Sequence, residues 1–177
     1  MQNFNILKKM PTLTEALQDA NPKYKKGVKN LYSTNCQRCV VALEARLRGL
    51  DVEALPALSM DKTKDEIADG VNWLKAFKIK KGTKQLSFSS LQDIEETFKK
   101  LPTNSRMQIL IREKDKNITH VFVAMKDNTD KVHFVDPQNA LADCRRYFNK
   151  NLDLILGARI DDLELKKDML PQYVKGK

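Results

Sequence analysis

The first half of the chain carries apolar residues at the three- and four-residue spacing of amphipathic helices, and the second half carries short runs rich in β-branched and aromatic residues. Near the start, Thr12 to Glu15 reads T-x-x-E, a capping box for a helix running to about Asp19, and Asn21-Pro22 stops it. A polar, lysine-rich loop leads to Ser33-Thr34-Asn35, a cluster of cap residues. Val40, Val41, Ala42, Leu43, Ala45 and Leu47 then predict the most apolar helix of the chain, ended by Gly49. Asp51 to Leu55 is a short strand candidate closed by Pro56. Thr63 to Phe77 predicts a helix with Ile67, Val71, Leu74 and Phe77 on one face. Ser90 caps another, with Leu91, Ile94, Phe98 and Leu101 at helical spacing and Pro102 at its end.

Beyond Pro102 the pattern changes. Met107 to Ile111, Thr119 to Met125 and Lys131 to Val135 predict strands divided by polar turns. Leu141 to Phe148 reads as a helix, Leu152 to Ile160 as a further strand, and the charged tail Asp161 to Lys177 as part helix. Helices followed by a mostly antiparallel sheet define an α+β arrangement. No linker divides it. The expectation is a single domain over residues 1–177, with 1–30 as an N-terminal helical and loop extension, and the basic loop Lys78 to Lys84 as its weakest stretch.

Composition narrows the classes. A chain of 177 residues can bury roughly two-thirds of its unfolded surface in one core. With 41% hydrophobic and 31% charged residues it is neither collagen-like, mucin-like nor globally disordered. No run approaches the roughly 18 apolar residues of a membrane span, and Phe4 to Leu7 is too short for a signal peptide. No membrane association is expected, and any delivery module is expected outside this chain. The cysteines, Cys36, Cys39 and Cys144, are too few and odd in number for a disulfide scaffold, so free thiols predict action in a reducing cytoplasm. The net charge is +9, from 32 Lys+Arg against 23 Asp+Glu. The lysines are dispersed and no basic motif is interleaved with aromatics, so a solvated basic surface is expected over a nucleic-acid face, and the net charge would bias the chain toward an acidic target surface.

The chemistry concentrates on few residues. Cys36 falls at the predicted N-terminus of the apolar helix, where unpaired N–H groups and the helix dipole favour a thiolate. Cys39, one turn further in, reads as a small core residue or as a second candidate thiol. The chain has two histidines. On the predicted strands, His120 shares a face with Phe122 and Ala124, and Asp136 shares one with Val132 and Phe134. A hairpin pairing residues whose numbers sum to 256 would set His120 directly opposite Asp136 and turn His133 to the other face as a structural residue. A thiol beside a histidine held by an acid is the pattern of covalent catalysis. Three alternatives stand beside it. Cys36-x-x-Cys39 with Cys144, His120 and His133 could form a zinc site, although no second C-x-x-C or H-x₃₋₅-H is present. The C-x-x-C could be a redox centre, although no βαβ context precedes it. The domain could also be a non-catalytic basic binding module. No cofactor motif is present, so neither metal nor cofactor is expected.

Two groups of residues then carry a resemblance. Asn35-Cys36-Gln37-Arg38-Cys39-Val40-Val41-Ala42-Leu43-Glu44, with Arg46, Arg48-Gly49 and Asp51-Val52-Glu53-Ala54, resembles the nucleophile motif of the papain-fold toxin domains. Thr119-His120-Val121-Phe122 and Phe134-Val135-Asp136-Pro137-Gln138 resemble that group's histidine and aspartate motifs, in the same order. The resemblance covers roughly Ala20 to Asn139. It implies a papain-like fold whose nucleophile-bearing helix packs on the sheet. It implies Cys36, His120 and Asp136 as catalytic residues, with Cys39 as the alternative nucleophile if Cys39-Val40 aligns with the Cys-aromatic pair of the plant proteases. Asn35, Gln37 or Gln138 would support the oxyanion. The implied activity is deamidation of a glutamine in a host or competitor protein through a thioester, with cysteine proteolysis as the alternative. An immunity protein and delivery from a bacterial cell are implied as well.

Overall fold

The structure, a computed structural model, describes residues 3–116 and 118–177. Helix α1 spans Leu13–Ala20 and begins with the expected capping box: Thr12 Oγ1 accepts from the Glu15 N–H and the Glu15 carboxylate accepts from the Thr12 N–H. Helix α2 spans Cys36–Leu47, and Gly49, at φ +88°, turns the chain out of it as a left-handed residue should. Strand β1, Val52–Ala54, follows, then β2 at Phe77–Lys78 and β3 at Leu86–Ser87. Helix α3 covers Leu91–Lys99, capped by the Ser90 hydroxyl. Strands β4 (Arg106–Glu113), β5 (Ile118–Lys126), β6 (Val132–Val135) and β7 (Leu152–Arg159) follow in the second half, and β8 (Glu164–Leu165) and β9 (Val174–Gly176) end it.

The main sheet is antiparallel, in the order β3-β7-β4-β5-β6. Alternation along each strand sorts its side chains onto two faces. Leu110, Val121, Val123, Val135 and Ala158 pack with α1 and α2, and α1 lays Ala16, Leu17 and Ala20 into this core. Ile109, Ile111, Phe122, Ala124 and Phe134 pack with Ile94 and Phe98 of α3. Two short antiparallel ribbons, β1–β9 and β2–β8, anchor the C-terminal tail beside the first core.

Four local expectations are corrected. Thr63 to Phe77 is not a continuous helix. It holds 3-10 turns at Lys62–Lys64 and Asn72–Ala76, and Phe77 begins β2. Gly70 at φ +64° breaks the periodicity, and the Asp65 carboxylate holds an irregular loop by accepting from the Leu58 and Ile67 N–H groups and from buried Arg38. Leu141 to Phe148 is not an α-helix either. The backbones of Asp136 and Leu141 pair with each other, and only a 3-10 turn over Arg145–Asn149 remains. The tail holds β8, β9 and a 3-10 turn at Leu170–Gln172 in place of α-helix.

The fourth correction is the hairpin register. Lys126 pairs with Val132, so partners sum to 258 and His120 is not directly opposite Asp136. A five-residue loop, Asp127 to Lys131, sets this register, with the Asp127 carboxylate accepting from the N–H groups of Thr129 and Lys131. The sum remains even, so His120 and Asp136 keep the same face and meet along the diagonal.

Candidate active site

Asn35 is the residue before α2, yet its side chain does not cap the helix. Its amide is turned into the core instead. Nδ2 donates to Asn21 Oδ1 at 3.1 Å and to the Leu55 carbonyl at 2.9 Å, and Oδ1 accepts from the Cys39 thiol at 3.2 Å. The first N–H groups of α2, at Cys36 and Gln37, consequently have no partner among the described residues. The helix therefore opens with bare donors at the residue that carries the thiol.

The other half of the site comes from the hairpin. Strand β6 covers only Val123–Lys126 of β5, so the edge of β5 is open around Thr119 to Val121. The N-terminus of α2 fills that gap, and the Val121 N–H points at the Cys36 sulfur. His120 lies beside it on the α3 face. His120 Nε2 is 2.8 Å from Asp136 Oδ2, which leaves Nδ1 for the thiol. Asp136 is fully buried, and the Gln138 N–H donates to its Oδ1 at 2.9 Å. Cys36, His120, Asp136 and Gln138 line one cleft of about 320 Å³, with Ser33, Thr34, Lys62 and Tyr147 at its walls. This is at the low end of small-ligand sites, a size suited to one side chain and its flanking backbone.

The charges follow from this packing. Burial pushes the Cys36 thiol up, but the His120 hydrogen bond and charge, the Val121 N–H and the Lys62 charge together bring it below its ordinary value. Burial works against imidazolium at His120, and Asp136 and then Cys36 outweigh it, raising the group to about 10. Asp136 is likewise penalised by burial, yet His120, the Tyr147 hydroxyl and the Gln138 N–H hold its carboxyl below the usual range. The packing sets a thiol, an imidazole and a buried carboxylate in one row, with each shift favouring the charged form. Such a row can attack an amide carbonyl and return a proton to the leaving nitrogen.

The other sequence candidates separate cleanly. Cys39 is completely buried, and burial with the nearby charges of Cys36 and Asp136 pushes its thiol well up, so it lacks both access and thiolate character. Gln37 is committed elsewhere: Nε2 donates to the Gly70 carbonyl at 2.7 Å and Oε1 accepts from the Trp73 N–H at 3.0 Å. The Asn35 and Gln37 amides thus anchor the helix N-terminus in this structure and do not point into the cleft. The Gln138 side chain faces the cleft with no partner among the described residues. His133 points to the opposite face, where it meets Asp127 at 2.6 Å. Among the described residues no three His, Cys, Asp or Glu side chains are grouped as metal ligands, and Cys144 is buried in the α3-side core.

Two residues escaped the sequence reading. Asn21, read there as a helix stop, donates to the Tyr32 carbonyl at 2.9 Å and the Gln138 carbonyl at 2.8 Å, tying the start of α2 to the turn after β6. Tyr147, placed inside a predicted helix, donates its hydroxyl to Asp136 Oδ2 at 2.6 Å. No local pattern signals either, because both act on residues far away in sequence. Arg38 and Arg46, by contrast, belong to the quoted motif and prove architectural. Arg38 makes a buried bidentate pair with Asp65, and Arg46 donates to the Val52 carbonyl and reaches Asp19 and Asp51.

No curated protein matches this chain. The family model described as papain fold toxin 1, glutamine deamidase, matches residues 34–140. That segment runs from the residue before the Asn35 cap through α2, the loops and the complete β5–β6 hairpin to the turn beyond Asp136. A match over more than half of the chain, through α2 and the β5–β6 hairpin that carry Cys36, His120 and Asp136, places the protein in the papain fold toxin 1, glutamine deamidase family.

Proposed function

We propose that the domain deamidates a glutamine side chain of a target protein through a Cys36–His120–Asp136 triad. The observation that carries this reading is the row Asp136–His120–Cys36 at one end of the cleft, beside the bare N-terminus of α2. The Cys36 thiolate attacks the side-chain carbonyl carbon, and the C=O electrons move onto oxygen. The Cys36 N–H and the Gln138 side-chain amide would receive that oxyanion. Collapse breaks the C–N bond, and the His120 imidazolium gives its proton to the departing nitrogen, releasing ammonia and leaving a thioester. Water then adds with His120 as base, and glutamate departs as the thiolate is restored. The sum is glutamine plus water to glutamate plus ammonia. Asp136 holds the imidazole in place throughout and stabilises its charged form.

The triad itself serves a peptide amide equally well. The family assignment favours the side-chain amide, and the cleft size accords with it. Lys62 and Lys150 at the cleft and the net charge of +9 support a target with an acidic surface. The three free, buried cysteines are consistent with work in a reducing cytoplasm, and delivery from a producing bacterium with an immunity partner belongs to the same reading.

Incubating intact candidate proteins with the domain and measuring their masses tests the proposal. A gain of about one dalton with ammonia release is expected, and Cys36→Ala should abolish it. Fragments of the target would replace deamidation with proteolysis. Efficient turnover of free glutamine with no protein modified would overturn the protein substrate.

A further inference from the structure

The Asp136 carboxylate receives two donors on one oxygen. His120 Nε2 and the Tyr147 hydroxyl both reach Oδ2, at 2.8 and 2.6 Å. The Tyr147 ring also stands edge-on to the His120 imidazole, with centroids 5.5 Å apart, and packs against Phe122 in the same manner. Its hydroxyl has its own partner behind it: Asn139 Nδ2 donates to the phenol oxygen at 3.3 Å. A phenol has one proton. With its oxygen accepting from Asn139, that proton is directed at Asp136, and the chain of donors Asn139 to Tyr147 to Asp136 runs one way. Tyr147 lies outside the segment that the family model matches.

From this arrangement we infer that Tyr147 is a positioning residue for the triad, acting through Asp136, with Asn139 setting the direction of its hydroxyl. The inference rests on the Cys36–His120–Asp136 reading of the site. Tyr147 performs two tasks. Its ring bounds the plane in which the imidazole can turn, and its hydroxyl keeps the buried carboxylate ionised and turned toward His120. Without the hydroxyl, Asp136 takes up a proton at higher pH. His120 then loses the anion that sustains its charge, and the thiolate goes with it. The ionisable groups facing Asp136 are His120 from β5, Cys39 from α2, and Tyr147 and Cys144 from the segment after β6, with Cys36 beyond His120. Lys150, paired with Glu113, sits over the Tyr147 ring 5.5 Å from its centroid, and Lys62 faces Cys36 from the loop after β1.

The test is the pH profile of Cys36 alkylation by iodoacetamide, which needs no substrate. Tyr147→Phe keeps the ring and removes the hydroxyl. Its acid limb should move up by about one pH unit, the size expected for losing one donor to a buried carboxylate. Asn139→Ala leaves the hydroxyl free to rotate and should move the limb the same way by less. On an unmodified target that the domain deamidates, Tyr147→Phe should lower kcat about ten-fold with KM little changed. A purely structural role would lower melting temperature and leave the limb in place. Should Tyr147→Phe fail to fold, Asn139→Ala carries the test. Alkylation profiles that superimpose on the unsubstituted protein would overturn the inference even in an active enzyme. A shifted limb in a protein that deamidates nothing would sustain the inference and sink the proposed reaction.

Discussion

The β5–β6 hairpin carries two histidine–aspartate pairs of similar length, His120–Asp136 at 2.8 Å and His133–Asp127 at 2.6 Å. Each uses Nε2 against Oδ2, and the two lie on opposite faces of the same ladder. Their surroundings differ. His133 and Asp127 are each about one-third exposed, and Asp127 spends its remaining capacity on the turn, accepting from Thr129 and Lys131. Asp136 is buried, its other donors are a backbone N–H and a phenol, and its histidine has a thiol on the far side. A hydrogen bond between imidazole and carboxylate is therefore not what marks a reactive pair. Low access to water makes the Asp136 charge effective over the length of the imidazole, whereas solvent screens the Asp127 charge. Under the proposed reaction, the thiol as third partner makes this histidine a proton carrier.

The contrast can be tested from the nucleophile outward. Cys36→Ala should remove all measurable turnover, a loss of about 10⁴-fold or more, while Cys39→Ala should keep activity within a few-fold because its thiol only fills space and donates to Asn35. Ammonia release from a responsive target measures both, and an inactive Cys39→Ala beside an active Cys36→Ala would reverse the assignment. Next in size, Asp136→Asn should cost roughly 10³- to 10⁴-fold in kcat, as expected when the histidine loses its tautomer and its counter-charge. Asp127→Asn, the same change in the exposed pair, should leave kcat unaltered and lower melting temperature slightly by loosening the turn. Equal losses in the two variants would mean that burial does not distinguish the pairs.

The pH dependence follows from the shifts and their signs. Turnover should be flat from below the ordinary thiol value of 9.0, once Cys36 is ionised, up to an alkaline limb near 10, where His120 loses its proton. For stability, the raised His120 contributes fully below its ordinary 6.5 and loses that contribution as pH climbs toward about 10. The lowered Asp136 contributes above its ordinary 3.8 and loses it as pH falls further. Thermal melts across pH should show a broad maximum between these ordinary values that Asp136→Asn flattens. Replacing His133 should leave the profile of activity unchanged, and a shift there would connect the exposed pair to the site.

The smallest expected effect concerns the oxyanion. Gln138→Ala should lower kcat about ten-fold without changing the fold, since its amide faces the cleft and holds no other group among the described residues. Gln37→Ala should instead lower melting temperature, because the Gly70 carbonyl and the Trp73 N–H lose their partner. A kcat loss at Gln37 with unchanged melting would return it to the oxyanion.

What could be read from local pattern was whatever depends on neighbours in sequence. The capping box at Thr12, the apolar run from Val40 to Leu47 and the alternation in β4 to β7 all report which side of an element meets the core, and that preference is written residue by residue. Parity survived for the same reason: a strand has a period of two, so His120 and Asp136 kept a common face although the register moved by two residues. The irregular segments were not legible. Thr63 to Phe77 has helical spacing, but a buried arginine from α2 claims Asp65 and a glycine bends the chain away. Leu141 to Phe148 has helical composition, but the backbone of Asp136 takes Leu141 first. Side-chain direction at the cleft is of this kind too. Asn35, Gln37 and Gln138 offer the same amide chemistry, and only the packing of α1, the loops and the turn after β6 decides that two of them face inward and one faces the cleft. Tyr147 reaches Asp136 by the same route, through a turn whose closure joins groups that no local sequence signal pairs.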